Sequence, residues 1–216
     1  MTLKIYPAPE DDPLFVDFLA RAGRLPDTPL GAPPSHGDLA PVDERPGADG
    51  ARPRDAAVLF VLAADAEGEL SLLLTERAAH LSSHAGQVAL PGGKIETGET
   101  AVAAALREAS EEVGLTPDAS RVVGLAPPYL TRTGYLVSPV LAVLTRQVQL
   151  QPDPGEVAST FLAPYRHVMT LANHREVEVV REGWPRRYFE VMVGQRRVWG
   201  VTAGILRMVH EKLHSP

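Results

Sequence analysis

The stretch from Gly93 to Gly114 constrains this chain more than any other. It reads Gly93-Lys94-Ile95-Glu96-Thr97-Gly98-Glu99, then an alanine-rich run, then Arg107-Glu108-Ala109-Ser110-Glu111-Glu112-Val113-Gly114-Leu115. Alanine and leucine favour a helix from about Glu99 to Val113, and Gly114 stops it. On a helix Glu108, Glu111 and Glu112 stand at i, i+3 and i+4, on one face and one turn apart. Three like charges so placed repel one another, so something must offset them. A hard divalent cation does this: Mg²⁺ and Mn²⁺ prefer carboxylate oxygen, and Mg²⁺ adds waters and substrate phosphate oxygens. Glu99 falls near the helix N-terminus, where a carboxylate is favoured. Arg107, two turns later, is placed to clamp a carboxylate through two hydrogen bonds. Pro91-Gly92-Gly93 lets the backbone come close, so that a carbonyl can point at the cation.

Composition narrows the classes. The formal net charge is −6, which argues against general nucleic-acid binding, because a phosphate backbone draws an excess of Lys and Arg. A small phosphorylated substrate stays compatible, since a bound divalent ion reverses the local field. The chain has no cysteine, which removes disulfides, thiolate metal sites and thiol nucleophiles. No apolar run is long enough to span a membrane, and Met1 to Ile5 opens no signal peptide. The expectation is a cytoplasmic protein with neither a membrane nor a nucleic-acid partner.

The chain divides near residue 55. Residues 1–54 read as an N-terminal extension, dense in Pro, Gly, Ala and Asp, with one short helix around Asp12 to Ala20 that carries Leu14, Phe15, Phe18 and Leu19 at helical spacing. That helix is expected to dock on the main domain or on a second subunit, which makes a homodimer a compatible assembly. Residues 55–216 read as the folded domain. Ala56 to Ala63 and Glu69 to Thr75 resemble a hairpin around Asp65-Ala66-Glu67-Gly68. Gln87 to Leu90, Val122 to Leu125, Leu136 to Leu144, Glu176 to Val180 and Arg187 to Val193 are further strand candidates. Pro164 to Met169 and Val201 to Leu213 are helix candidates. Strands and helices mix without regular βαβ alternation, so the fold class is α+β with a mixed sheet between helices.

The segment from Gly93 to Leu115 resembles the signature of the Nudix hydrolases: glycine, five residues, Glu, seven residues, Arg-Glu, an apolar residue, any residue, Glu-Glu, any residue, glycine, an apolar residue. Every specified position is filled, with Ala109 at one apolar place. The resemblance implies an α/β/α sandwich with a mixed β-sheet and hydrolysis of a nucleoside diphosphate linked to a further group. It implies Glu108 and Glu112 as the main ligands of Mg²⁺ or Mn²⁺, Glu111 as a further ligand or water-positioning group, the Gly93 carbonyl as part of the shell, and Glu99 with Arg107 as structural support. The general base is a Glu of this segment (Glu111 or Glu112) or an acid of a later loop, for which Glu156 in Pro154-Gly155-Glu156-Val157 is the candidate.

Just upstream, Leu73-Leu74-Thr75-Glu76-Arg77-Ala78 and Gly86-Gln87-Val88-Ala89-Leu90-Pro91-Gly92-Gly93 resemble the coenzyme A pyrophosphatase branch of the same family, and Trp199-Gly200-Val201-Thr202-Ala203 extends the likeness. That branch implies cleavage of coenzyme A or acyl-coenzyme A into adenosine 3′,5′-bisphosphate and 4′-phosphopantetheine or its acyl form. Two positions depart from it: Ser82 replaces an Arg and Leu90 replaces a Phe. Leu90 keeps apolar character; Ser82 removes a cation, for which Arg77, His84 and Arg132 are the candidate replacements at the substrate. Other readings are a Nudix hydrolase of a nucleotide sugar, dinucleotide or nucleoside triphosphate, and a non-catalytic nucleotide-binding module. The pairs His80/His84 and His210/His214 have i, i+4 spacing but no third ligand, so no zinc site is expected.

Overall fold

The computed structural model describes residues 2–25, 36–37, 52–81, 83–181 and 184–214. Ser82 and nearly all of the expected Pro/Gly-rich linker lie outside the described residues.

The chain runs β1 (Lys4–Ile5), α1 (Pro13–Ala22), β2 (His36–Gly37), β3 (Arg54–Ala64), β4 (Leu70–Arg77), β5 (Val88–Ala89), β6 (Gly92–Lys94) and α2 (Ala101–Val113). It continues through β7 (Ser120–Leu125), β8 (Tyr129–Leu130), β9 (Tyr135–Leu144), β10 (Val148–Gln149), β11 (Val157–Pro164) and α3 (Tyr165–Val168), then β12 (Arg175–Arg181), β13 (Trp184–Val193), β14 (Arg196–Trp199) and α4 (Val201–His214). The central sheet is mixed, in the order β11-β4-β3-β9-β8-β2. β3 pairs parallel with β9 and antiparallel with β4 and β6, while β5 pairs with β4. A separate meander joins β12, β13 and β14.

β3 and β9 are apolar nearly throughout because the sheet is covered on both faces. Phe60 and Leu62 of β3 point to one core with Leu72 and Leu74 of β4 and Leu141 and Val143 of β9. Leu59, Val61 and Ala63 point to the other with Leu73, Val140 and Ala142. The first core is closed by Phe15, Phe18 and Ala22 of α1 and by Ile205, Leu206, Met208 and Val209 of α4. The second is closed by Ala101, Ala104, Ala105, Ala109 and Val113 of α2. The result is the helix–sheet–helix sandwich of the α+β class expected from the sequence.

Several boundaries move for local reasons. The α2 helix begins at Ala101, because the Thr100 side chain accepts the Ala103 N–H and caps it, so Glu99 stands before the helix. Its end is as expected: Gly114 adopts φ 70°, and its N–H returns to helix carbonyls. The N-terminal helix docks on the domain itself, capped by Asp12, which accepts from Leu14 and Phe15. Phe18 is fully buried between Phe60 and Tyr165.

Candidate active site

Helix α2 places its acids unequally. Its buried stripe runs through Ala101, Ala104, Ala105 and Ala109, and Glu112 continues that stripe. Glu108 and Glu112, roughly 40° apart around the helix, lie at the edge facing β6. Glu111 falls on the solvent side, with its side chain 62% exposed, whereas Glu112 is 4% exposed. The equal sharing of one face expected from the spacing is therefore tilted toward two of the three.

Strand β6 meets this edge because it carries glycines. A Cβ on Gly92 would sit 2.3 Å from the Ala57 carbonyl oxygen, and one on Gly93 would sit 2.4 Å from Glu108 Oε1. Any larger residue would push β6 off β3 or displace the carboxylate. The close approach lets the Gly92 N–H donate to Glu112 Oε2 at 3.1 Å. The other oxygen, Oε1, lies 4.0 Å from Arg77 Nη1, at the outer limit of an ion pair. Arg77 comes from the end of β4, and its own Nε is buried without a hydrogen-bond partner. Burial pushes the Glu112 carboxyl up to about 7, against the Gly92 hydrogen bond; the charges of Glu108 and Glu156 push the same way. Burial likewise raises Glu108.

Arg107 organises the rest. Its Nε donates to Glu99 Oε1 at 2.9 Å and its Nη2 to Glu99 Oε2 at 3.0 Å, the two-point clamp expected from the sequence. The same guanidinium donates to the Lys94 carbonyl at 3.1 Å and, through Nη1, to Glu108 Oε1 and Glu111 Oε2, each at 3.0 Å. Its hydrogen bond holds Glu99 below the usual carboxylate range, and Glu99 in turn raises Arg107. One cation thus sits among three carboxylates. Among the described residues no three acidic or histidine side chains gather into a single ligand cluster.

The loop carrying Glu156 is tied to the same place. Asp153 N–H donates to the Glu112 carbonyl at 2.9 Å, Glu156 N–H to Asp153 at 3.0 Å, and Ala78 N–H to the Glu156 carbonyl at 2.8 Å. Glu156 is exposed, and its charge reaches both Glu108 and Glu112. His80 Nε2 lies 3.2 Å from the Gly155 carbonyl, fastening the 78–87 loop to this one. His84 holds a φ of 58°, a left-handed backbone rarely adopted outside glycine, and its Nδ1 lies 2.9 Å from Gln87 Oε1. Arg132 belongs to the β8–β9 turn, whose Thr133 carbonyl is held by Arg54, and none of the contacts above involves it. Sequence reasoning missed the Gly92 N–H and the Lys94 carbonyl, since backbone donors and acceptors leave no residue signature beyond the glycines.

The donor set fits a hard divalent cation. Glu112 is a buried carboxylate with a single N–H and a distant guanidinium for compensation, and a buried charge so poorly paired is costly. Gly93 leaves room beside Glu108 that any side chain would fill. All the donors are oxygens, the preference of Mg²⁺ and Mn²⁺.

The chain is similar to known proteins over much of its length. The family model described as NUDIX domain matches residues 52–183. A protein of Escherichia coli K12 named "Uncharacterized Nudix hydrolase NudL" is 40% identical over 155 residues, spanning 71% of this chain and 80% of that one. A relative of the same name from Shigella boydii is 39% identical over the same share. Among solved structures, the Nudix hydrolase RenU of M. smegmatis aligns with a TM-score of 0.46 and 26% identity, over 55% of this chain and 74% of that one. DR0079 of Deinococcus radiodurans aligns with a TM-score of 0.47 and 14% identity, over 94% and 97%. With the family model covering most of the chain and the glycine-flanked acidic helix in place, the protein belongs to the Nudix family of hydrolases, which act on phosphoric anhydrides.

Proposed function

We propose that this enzyme hydrolyses the pyrophosphate of coenzyme A or acyl-coenzyme A, releasing adenosine 3′,5′-bisphosphate and 4′-phosphopantetheine or its acyl form. The observation that carries this reading is the meeting of two motifs. Arg77, from the coenzyme A-like segment, reaches toward Glu112, from the Nudix helix. The Gly86 N–H and the Gln87 carbonyl are bonded to the backbone of Arg77 itself, so the upstream motif is built onto the carboxylate site.

Glu108 and Glu112, with Glu111 and the Gly93 carbonyl, would hold Mg²⁺ or Mn²⁺. When bound there, the cation would neutralise the pyrophosphate and lower the pKa of a water. The remaining roles belong to the protein. Arg107 keeps Glu99, Glu108 and Glu111 from separating and ties them to β6. Arg77, with an unpaired Nε, offers a guanidinium to a substrate phosphate oxygen, as Arg does wherever planar two-point recognition is needed. His84 and Arg132 are further substrate contacts on neighbouring loops. Glu156, exposed at the end of its loop, takes the proton of the attacking water, with Glu111 and Glu112 as the alternatives on the helix. Glu156→Gln should then lower kcat at least tenfold without changing the melting temperature.

The substrate is tested by product analysis with Mg²⁺ or Mn²⁺ across coenzyme A, acetyl-coenzyme A, ADP-ribose, NADH, a diadenosine polyphosphate and dGTP. Adenosine 3′,5′-bisphosphate from the coenzyme A pair is expected. Preferential cleavage of another compound would overturn the coenzyme A reading and leave the pyrophosphate chemistry. Arg77→Ala should raise KM for coenzyme A about tenfold or more, the cost of one charge-assisted contact; unchanged KM and kcat would remove Arg77 from the substrate site.

A further inference from the structure

The Trp199-Gly200-Val201-Thr202-Ala203 segment has no part in the chemistry above, yet it is fixed against it. Gly200, with φ 62°, turns the chain from β14 into α4, and its N–H donates to the Phe189 carbonyl at 3.0 Å. The turn brings the first residues of α4 against β5. There the buried Thr202 hydroxyl donates to the Val88 carbonyl at 2.9 Å, a bond between residues 114 apart in sequence. Two residues on, Gly204 lies against Tyr129; a Cβ there would sit 2.3 Å from the Tyr129 hydroxyl oxygen. Helix α4 is therefore seated without slack between β5 and β8.

The backbone between Val88 and Gly92 is held at several carbonyls. Thr202 holds the Val88 carbonyl, the Thr75 hydroxyl holds the Ala89 carbonyl at 3.3 Å, and the Leu59 N–H holds the Pro91 carbonyl at 2.8 Å. The next group in line, the Gly92 N–H, is the one that meets Glu112 Oε2. Thr75 and Leu59 belong to the central sheet. Thr202 is the anchor from outside it, and Glu112 has no other hydrogen-bond donor within the contacts that build the site.

We propose that Thr202 is a positioning residue: from the C-terminal helix it fixes β5, and through β5 it sets the Gly92 N–H that orients the Glu112 carboxylate. The role deepens the reading of Glu112 as a site carboxylate and rests on it. It also gives the third motif of this chain, distant in sequence from the first two, a role at the same carboxylate.

Thr202→Val keeps the shape of the side chain and removes the donor, leaving a buried carbonyl unpaired. Thr202→Ser restores the hydroxyl. The Thr202→Val enzyme should lose about tenfold or more in kcat with KM near its original value, and Thr202→Ser should stay within about twofold. A direct readout is amide hydrogen exchange at Gly92, which should quicken about tenfold in Thr202→Val while the amides of β3 and β9 keep their protection. If Thr202→Val fails to fold, Thr202→Ala removes the same donor from a smaller side chain and carries the same measurements. Unchanged Gly92 exchange in a folded variant would overturn the proposal, as would a loss of kcat that Thr202→Ser does not restore. The exchange measurement uses no substrate: quickened exchange in a protein whose wild type cleaves nothing would sink the functional reading and leave the positioning role standing.

Discussion

At the residue scale, Glu112 concentrates the conflict between folding and chemistry. It continues the alanine stripe of α2, so packing buries it, and burial lifts its pKa from 4.5 to about 7. The native state then holds a proton that the unfolded chain gives up between those values. Stability of the metal-free protein should fall as pH rises from about 4.5 through 7, by roughly 3 kcal/mol from this group, with Glu108 adding in the same direction. Glu112→Gln removes the charge and keeps the size. The metal-free variant should melt about 5 °C or more above the wild type at about pH 8 and close to it at about pH 5. Equal melting at both pH values would mean that Glu112 is not buried as described. The spacing Glu108-Glu111-Glu112 was legible in the sequence. Their unequal burial was not, because it depends on which side of α2 the sheet occupies. Arg107 shows the same division: its clamp on Glu99 follows from the motif, while its bond to the Lys94 carbonyl requires β6 to be in place.

At the element scale, the strongest local signals gave the right elements. Helix α2 ends where a glycine can take φ 70°, and a Cβ on Gly114 would also crowd Gln151 at 3.3 Å. Gly114→Ala should therefore cost at least about 1 kcal/mol, read as a lower midpoint in urea. Thr100→Ala should cost about the same through the lost cap, with catalytic constants retained. A Gly114→Ala protein as stable as the wild type would show that the left-handed cap does not hold the helix end. Long apolar strands such as β3 and β9 announced themselves by composition. β5 was expected as part of Gln87 to Leu90, but β6 and β8 were not, since two or three residues carry no period and form only because a neighbouring strand supplies partners. In the sequence, Arg196-Arg197 reads as a solvated strand end. In the fold, Arg197 Nε donates to the buried Glu190 at 2.6 Å, and Arg175 pairs with the same carboxylate.

At the scale of the whole molecule, the composition break near residue 55 is not where packing begins. Lys4–Ile5 pairs with β10, and α1 fills the core opposite α2. Phe18→Ala should cost about 3–5 kcal/mol, as for any aromatic removed from a close-packed site. A change below about 1 kcal/mol would mean that α1 is an appendage. No helix among the described residues is long and apolar enough to cross a membrane. The sandwich brings three sequence motifs to one place: the loop before β5, the acidic helix, and the start of α4. Each was visible on its own, but their junction at Gly92 and Glu112 is a property of the sheet that lies between the helices.

The central claim is that the carboxylates of α2 carry the hydrolysis of a pyrophosphate. It is tested most directly by measuring adenosine 3′,5′-bisphosphate formed from coenzyme A by the wild type and by Glu112→Gln, each with Mg²⁺ and with excess chelator. The account predicts product from the wild type with Mg²⁺, none with chelator, and a rate lower by about a thousandfold or more in the folded variant. A folded Glu112→Gln protein that keeps most of the wild-type rate would contradict it.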